Sequence, residues 1–102
     1  VVQRAKVEQQ TNNEVLRQVT IRNRQGLHAR PVMQFVDLAN RFPCEIHVRK
    51  GSLQVDGKSP MEMMLLEATQ GTTLSLVAVG PEADHAVGAL AKLVESGFGE
   101  ET

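Results

Sequence analysis

Apolar residues fall on alternate positions in three stretches of the chain. Val15, Val19 and Ile21 share one face of Glu14–Arg22, interrupted only by Arg17. Cys44, Ile46 and Val48 point one way in Cys44–Arg49, with Glu45, His47 and Arg49 pointing the other. In Thr72–Val79, Leu74, Leu76 and Ala78 oppose Val77 and Val79. Successive side chains leave a strand on opposite sides, so this alternation predicts strands with one buried face. Thr72–Val79 is apolar on both faces and is expected at the centre of its sheet. Leu53–Asp56 reads as a short strand joined to Cys44–Arg49 by the turn Lys50-Gly51-Ser52, making a hairpin.

Between these stretches the spacing changes to that of helices. Val32, Phe35, Val36 and Ala39 form a core stripe over about 29–40, widened by Met33 and Leu38. Pro43 disfavours helical geometry at Phe42 and closes that segment. Ser59-Pro60-Met61-Glu62 has a capping-box order, with Ser at the N-cap, Pro at the first helical position and Glu at the third. It opens a short helix rich in Met and Leu, about 60–68, ended by Thr69-Gln70-Gly71. Ala83, Ala86, Val87, Leu90 and Val94 give the inner stripe of a last helix, about 81–96. The order is β-α-β-β-α-β-α. The fold class is α+β: a four-stranded antiparallel or mixed sheet with all three helices on one face. The domain is expected to span 14–97, between a flexible N-terminal extension, 1–13, and a loose tail, 98–102.

The stretch Asn23-Arg24-Gln25-Gly26-Leu27-His28-Ala29-Arg30-Pro31 joins the first strand to the first helix. Gly26 permits a turn that residues with a Cβ resist. Pro31 suits a first helical turn, so the helix begins near Ala29 and His28 falls at its N-cap. A helix N-terminus presents unpaired N–H groups and the positive end of the dipole, which favour an anion. Arg30 adds a fork of donors suited to a phosphoryl group. A neutral imidazole is a competent nucleophile. The stretch therefore reads as a histidine able to accept a phosphoryl group; the alternative is a histidine that merely caps a helix.

Composition narrows the possible partners. The 102 residues include no Trp and no Tyr, and 11 Lys and Arg against 12 Asp and Glu give a net charge of −1. Neither stacking on bases nor bulk charge argues for nucleic acid. No apolar run reaches membrane-spanning length, and no direct membrane insertion is expected. The single cysteine, Cys44, reads as a small buried hydrophobe, and a reducing, cytoplasmic compartment follows most simply. The sequence starts at Val1 and not at Met, as a trimmed chain would. His47 on a polar strand face and His85 among acidic neighbours read as solvated. No metal-ligand cluster, glycine-rich nucleotide loop or second catalytic base stands out, so no cofactor, no metal and no independent turnover are expected.

From about residue 15 to 96 the chain resembles the histidine-containing phosphocarrier family of the bacterial phosphoenolpyruvate-dependent sugar phosphotransferase system. Three segments carry the resemblance: Asn23-x-x-Gly26-Leu27-His28-Ala29-Arg30-Pro31, Gly57-Lys58-Ser59 and Thr69-Gln70-Gly71-Thr72. The resemblance implies an open-faced β-sandwich with strand order 1-4-2-3. It implies phosphorylation of His28 on Nδ1 by the system's general phosphotransferase enzyme, with onward transfer to sugar-specific acceptor domains. Arg30 would neutralise the phosphoryl charge, and the backbone N–H groups of Ala29 and Arg30 would receive its oxygens. Ser59 corresponds to the family's regulatory serine, the target of a serine kinase/phosphorylase, although Pro60 and Glu62 depart from the usual kinase-substrate pattern. Met61, Met64 and Lys58 fall where the family docks its partners, with Leu65 and Leu66 expected further in. Val32 stands where alanine is usual, a departure bearing on partner fit. Two alternatives remain open: the nitrogen-regulatory branch of the same system, and a regulatory co-effector that binds without histidine phosphotransfer.

Overall fold

The computed structural model describes residues 14–102; the expected N-terminal extension lies outside the described residues. Four strands, β1 (Glu14–Thr20), β2 (Glu45–Lys50), β3 (Leu53–Asp56) and β4 (Thr73–Val79), alternate with α1 (Ala29–Ala39), α2 (Pro60–Met64) and α3 (Ala83–Glu95). The sheet is wholly antiparallel, in the order β1-β4-β2-β3. This is the 1-4-2-3 arrangement, with the most apolar strand paired on both sides.

Register explains how the pattern is used. Val19 pairs with Leu74, while Ile46 and Val48 pair with Ala78 and Leu76. All of these side chains are buried and belong to the core. The helices contribute Val32, Phe35, Val36 and Ala39 from α1, Met63 from α2, and Ala86, Val87, Leu90, Ala91 and Val94 from α3. Complete burial of one Leu or Val side chain contributes about 1.5–3 kcal/mol, and this layer dominates stability. Arg17 is tolerated because β1 is an edge strand, where its side chain reaches water. On the face opposite the core, Val77 is only 2% exposed. Its cross-strand neighbours there are Leu16 and His47.

Several element ends differ from the sequence reading. Backbone φ at Glu82 is 62°, a conformation that a helix cannot contain, so α3 starts at Ala83 and not at Pro81. The α-helical part of α2 ends at Met64. Leu65, Leu66 and Glu67 continue it by tighter bonds to the carbonyls of Glu62, Met63 and Met64, and Glu67 then turns to φ 45°. The tighter turn exposes Leu65 (63%) while burying Leu66, so Leu65 does not lie inward. Val32 is 1% exposed; the substitution for alanine is a core change and does not face a partner directly.

The largest departure is at residues 98–102. Phe98 is buried, within the 3-10 turn Gly97–Gly99 that follows α3. Backbone pairing continues beyond it, as Arg24 N–H donates to Glu101 O at 2.8 Å. An aromatic with a place in the core fixes what composition alone marks as a free end.

Candidate functional site

His28 occupies the N-cap of α1 with extended backbone angles, and its side chain makes no capping hydrogen bond. The ladder of α1 begins with Val32 N–H donating to His28 O at 3.0 Å. The amides of Ala29 and Arg30 precede it and are the open N–H groups of this terminus. The imidazole is 35% exposed. Arg30 is exposed on the first turn and, among the described residues, forms no salt bridge. The two side chains line an open cleft of about 340 Å³ together with Arg24, Gln25, Gly99, Glu100 and Glu101. The capping alternative fails on this geometry, because the ring turns instead toward the carboxylate of Glu100.

The loop bearing His28 is braced from two distant parts of the chain. Gly26 takes φ 71°, and Leu27 N–H donates to Ala68 O at 2.8 Å. Ile21 exchanges backbone bonds with Gly71 and Thr72, and Gln70 Nε2 donates to Arg22 O at 3.0 Å. The Thr69–Thr72 segment is thus the rear support of the histidine loop. From the other side, both oxygens of Glu100 lie 3.0 Å from His28 Nε2. Asn23, wholly buried, donates through Nδ2 to Gly26 O at 2.7 Å and to Glu100 Oε1 at 3.0 Å. Arg24 pairs with Glu101 at 3.3 Å, both side chains largely in water, so this pair contributes little.

Glu100 was missed by sequence reasoning. Seventy-two positions separate it from His28, and no period or motif marks it. The only sequence hint of ordering nearby is an aromatic, Phe98, in an otherwise polar end. Asn23 is visible in the motif, but its part in holding Glu100 is not.

The Glu100 carboxyl titrates below its ordinary value of 4.5. The hydrogen bond from His28 is the main cause, opposed by partial burial and aided by the Asn23 bond and the fields of His28 and Arg30. A carboxyl depressed in the folded state stabilises it above the unfolded value and loses that contribution as pH falls through the folded one. Docking of Glu100 is therefore expected to persist at neutral pH and to weaken on acidification below 4.5. The NMR shifts of the Asn23 side-chain amide against pH check this; an unchanged amide down to about pH 2 contradicts it.

Ser59 caps α2, its Oγ accepting from Glu62 N–H at 3.2 Å. The capping box is not reciprocal. Glu62 Oε1 accepts from Asp56 N–H at 2.9 Å, while Ser59 N–H donates to Asp56 O. Lys58 is half-buried, and its ammonium donates to Phe42 O at 2.6 Å, so it ties α2 to the end of α1. Met61 (82%), Met64 (44%) and Leu65 (63%) are exposed along α2, and Met33 (45%) is exposed on the adjoining α1. Met33 lies one turn beyond Ala29 on the same helix. His47 is half-buried with Glu45 at 3.3 Å, and His85 is exposed beside the Phe42 ring; neither joins the cleft. Among the described residues no helix is long and apolar enough to cross a membrane.

Comparison with known proteins agrees with this fold. The family model PTS-HPr, described as the PTS HPr component phosphorylation site, matches residues 15–96. Phosphocarrier protein HPr of Pseudomonas aeruginosa is 44% identical over 84 residues, covering 81% of this chain and 93% of that protein. Phosphocarrier protein NPr of Shewanella violacea is 38% identical over 84 residues, covering 82% and 92%. The crystal structure of HPr-C-His from Thermoanaerobacter tengcongensis aligns with a TM-score of 0.83 at 41% identity, over 86% of this chain and 99% of that one. The fold aligns with that structure and residues 15–96 match the family model, so the chain belongs to the HPr family of phosphocarrier proteins.

Proposed function

We propose that this chain carries phosphoryl groups in the sugar branch of the phosphoenolpyruvate-dependent phosphotransferase system. His28 accepts the group from the general phosphotransferase enzyme and yields it to sugar-specific acceptor domains. The observation that carries the reading is the His28 ring: part-exposed, free of capping duty, and beside an Arg30 that forms no ion pair among the described residues. The amides of Ala29 and Arg30 meet the phosphoryl oxygens and Arg30 offsets their charge. Such transfer depends on positioning and electrostatics, and an open, wet cradle suits a carrier, since one that bound the group tightly would hinder its departure. The setting is the cytoplasm, where phosphoenolpyruvate is available.

The choice of branch is supported by relatives. The Pseudomonas proteins named HPr are 44% identical, whereas those named NPr from Shewanella and Proteus are 38% and 36%. The test is incubation with the general enzyme and labelled phosphoenolpyruvate, followed by peptide mapping. Acid-labile label on the His28 peptide, chased onto a sugar-specific acceptor, is the expected result. Label that never reaches such an acceptor but does reach a nitrogen-regulatory one assigns the other branch.

The exposed Met61, Met64 and Leu65 form the docking face for these partners, since unbranched thioether side chains adapt to several surfaces. Lys58 supports that face from behind through its bond to Phe42. Ser59 is the regulatory position: a phosphate at the start of α2 adds negative charge to the docking face and need not unfold the helix. Ser59→Ala is expected to abolish labelling by a matching ATP-dependent serine kinase and to lower stability by about 1 kcal/mol through loss of the cap. Kinase labelling that survives the substitution places the regulatory phosphate elsewhere.

A further inference from the structure

We propose that Glu100, held by Asn23, is a positioning residue that reserves Nε2 of His28 and directs phosphoryl acceptance to Nδ1. This deepens the carrier reading and rests on it. At neutral pH Glu100 is a carboxylate, because its carboxyl titrates below the ordinary range. A carboxylate only accepts hydrogen bonds, so the ring nitrogen facing its two oxygens at 3.0 Å must carry the proton. In a neutral imidazole the other nitrogen, Nδ1, then holds the lone pair. Nucleophile and blocked atom are thereby assigned within one ring.

Asn23 keeps the carboxylate in place. Its side chain is 0% exposed and bonds at once to Gly26 O, within the histidine loop, and to Glu100 Oε1. Glu100 is thus referenced to the loop itself as well as to the turn around buried Phe98. The charged groups facing the pair are Arg24, Arg30 and Glu101; Arg24 is engaged by Glu101, leaving Arg30 as the free cation on the cleft wall among the described residues.

Chemically, the Nδ1 lone pair forms the N–P bond while the donor's bond to phosphorus breaks and its electron pair leaves with the donor. Nδ1 has no proton to lose, and Nε2 keeps its own. The phosphorylated ring therefore acquires positive charge on the side facing Glu100, which stabilises it as a carboxylate stabilises an imidazolium in a hydrolytic triad. Attack through Nε2 would require that nitrogen to shed its proton and a phosphoryl anion to displace the carboxylate, against like-charge repulsion.

The experiment uses the full chain and phosphoramidate, a small donor whose P–N bond breaks to release ammonia, so no partner enzyme imposes regiochemistry. The early phosphohistidine isomer is read by 31P NMR. Wild type is expected to give the Nδ1 isomer. Glu100→Ala is expected to raise the Nε2-to-Nδ1 product ratio roughly tenfold, as a modest change in relative barriers does. Glu100→Gln, which keeps an acceptor oxygen in reach of Asn23 and His28, retains most of the selectivity. A second readout requires no reaction: a resolved Nε2–H resonance in wild type, lost to exchange with water in Glu100→Ala.

Equal isomer ratios in wild type and Glu100→Ala, or a wild-type ring lacking the Nε2 proton, overturn the proposal. A Gln variant as unselective as Ala also overturns it. Failure of the carrier reading looks different: the general enzyme leaves His28 unlabelled, while the isomer ratio with phosphoramidate and the Nε2–H signal still report on Glu100.

Discussion

His28→Ala is expected to reduce phosphoryl acceptance from the general phosphotransferase enzyme to background, a loss of at least about a thousandfold, because it removes the attacking atom itself. The fold should survive. His28 enters α1 only through its backbone carbonyl, which accepts from Val32 N–H at 3.0 Å and remains in the variant. Its ring is 35% exposed and caps nothing, so alanine opens no core cavity. Glu100 loses one partner and keeps the Asn23 bond. Label that is as strong, and as acid-labile, in His28→Ala as in wild type sends the search to another nucleophile. A circular dichroism melt on the same sample separates lost chemistry from lost structure.

Gly26→Ala is expected to be the most damaging small change in the site. At φ 71° an L side chain is strained by about 1–2 kcal/mol. A Cβ there would also stand 2.6 Å from Ala68 O and 3.0 Å from Thr69 Cα, both backbone atoms that cannot swing aside. The same Ala68 oxygen receives Leu27 N–H, so relieving the clash breaks the brace behind the histidine loop. Overpacking of this kind adds about 1–3 kcal/mol. The total, roughly 2–5 kcal/mol, is a large part of the stability of a domain this size and corresponds to a Tm lower by about 10–25 °C. Gly51 is the internal control. Its φ is 60°, but a Cβ there meets nothing within 4 Å, so Gly51→Ala should show only the strain. Equal Tm losses at the two positions would remove the argument for close approach at Gly26.

Strand alternation made the sheet readable because one face packs beneath the helices and gathers the apolar side chains. Val19, Ile46, Val48 and Leu74 sit where period two puts them. The reading slipped where backbone angles, not side-chain polarity, set the boundary, as at Glu82 and Glu67, whose left-handed conformations no polarity pattern announces. The placement of His28 and Arg30 together was visible because it is local: turn, cap and cation lie within five residues. Glu100 was invisible because it joins the site only after α3 and the Phe98 turn have carried it back. Lys58, expected at the docking surface from the family resemblance, also gives its ammonium to the Phe42 carbonyl, a bond that no motif announces.

The cleft around His28 draws its walls from residues 24–30 and 99–101, with residues 68–72 behind. These segments meet only when the chain has closed on itself from end to end of the domain. A polypeptide still emerging from the ribosome, or one clipped before Phe98, lacks the wall that Glu100 supplies. On the proposed reading, competence to receive phosphate then reports that the domain has folded through Glu100, and copies lacking that wall stay out of the relay without any separate inspector.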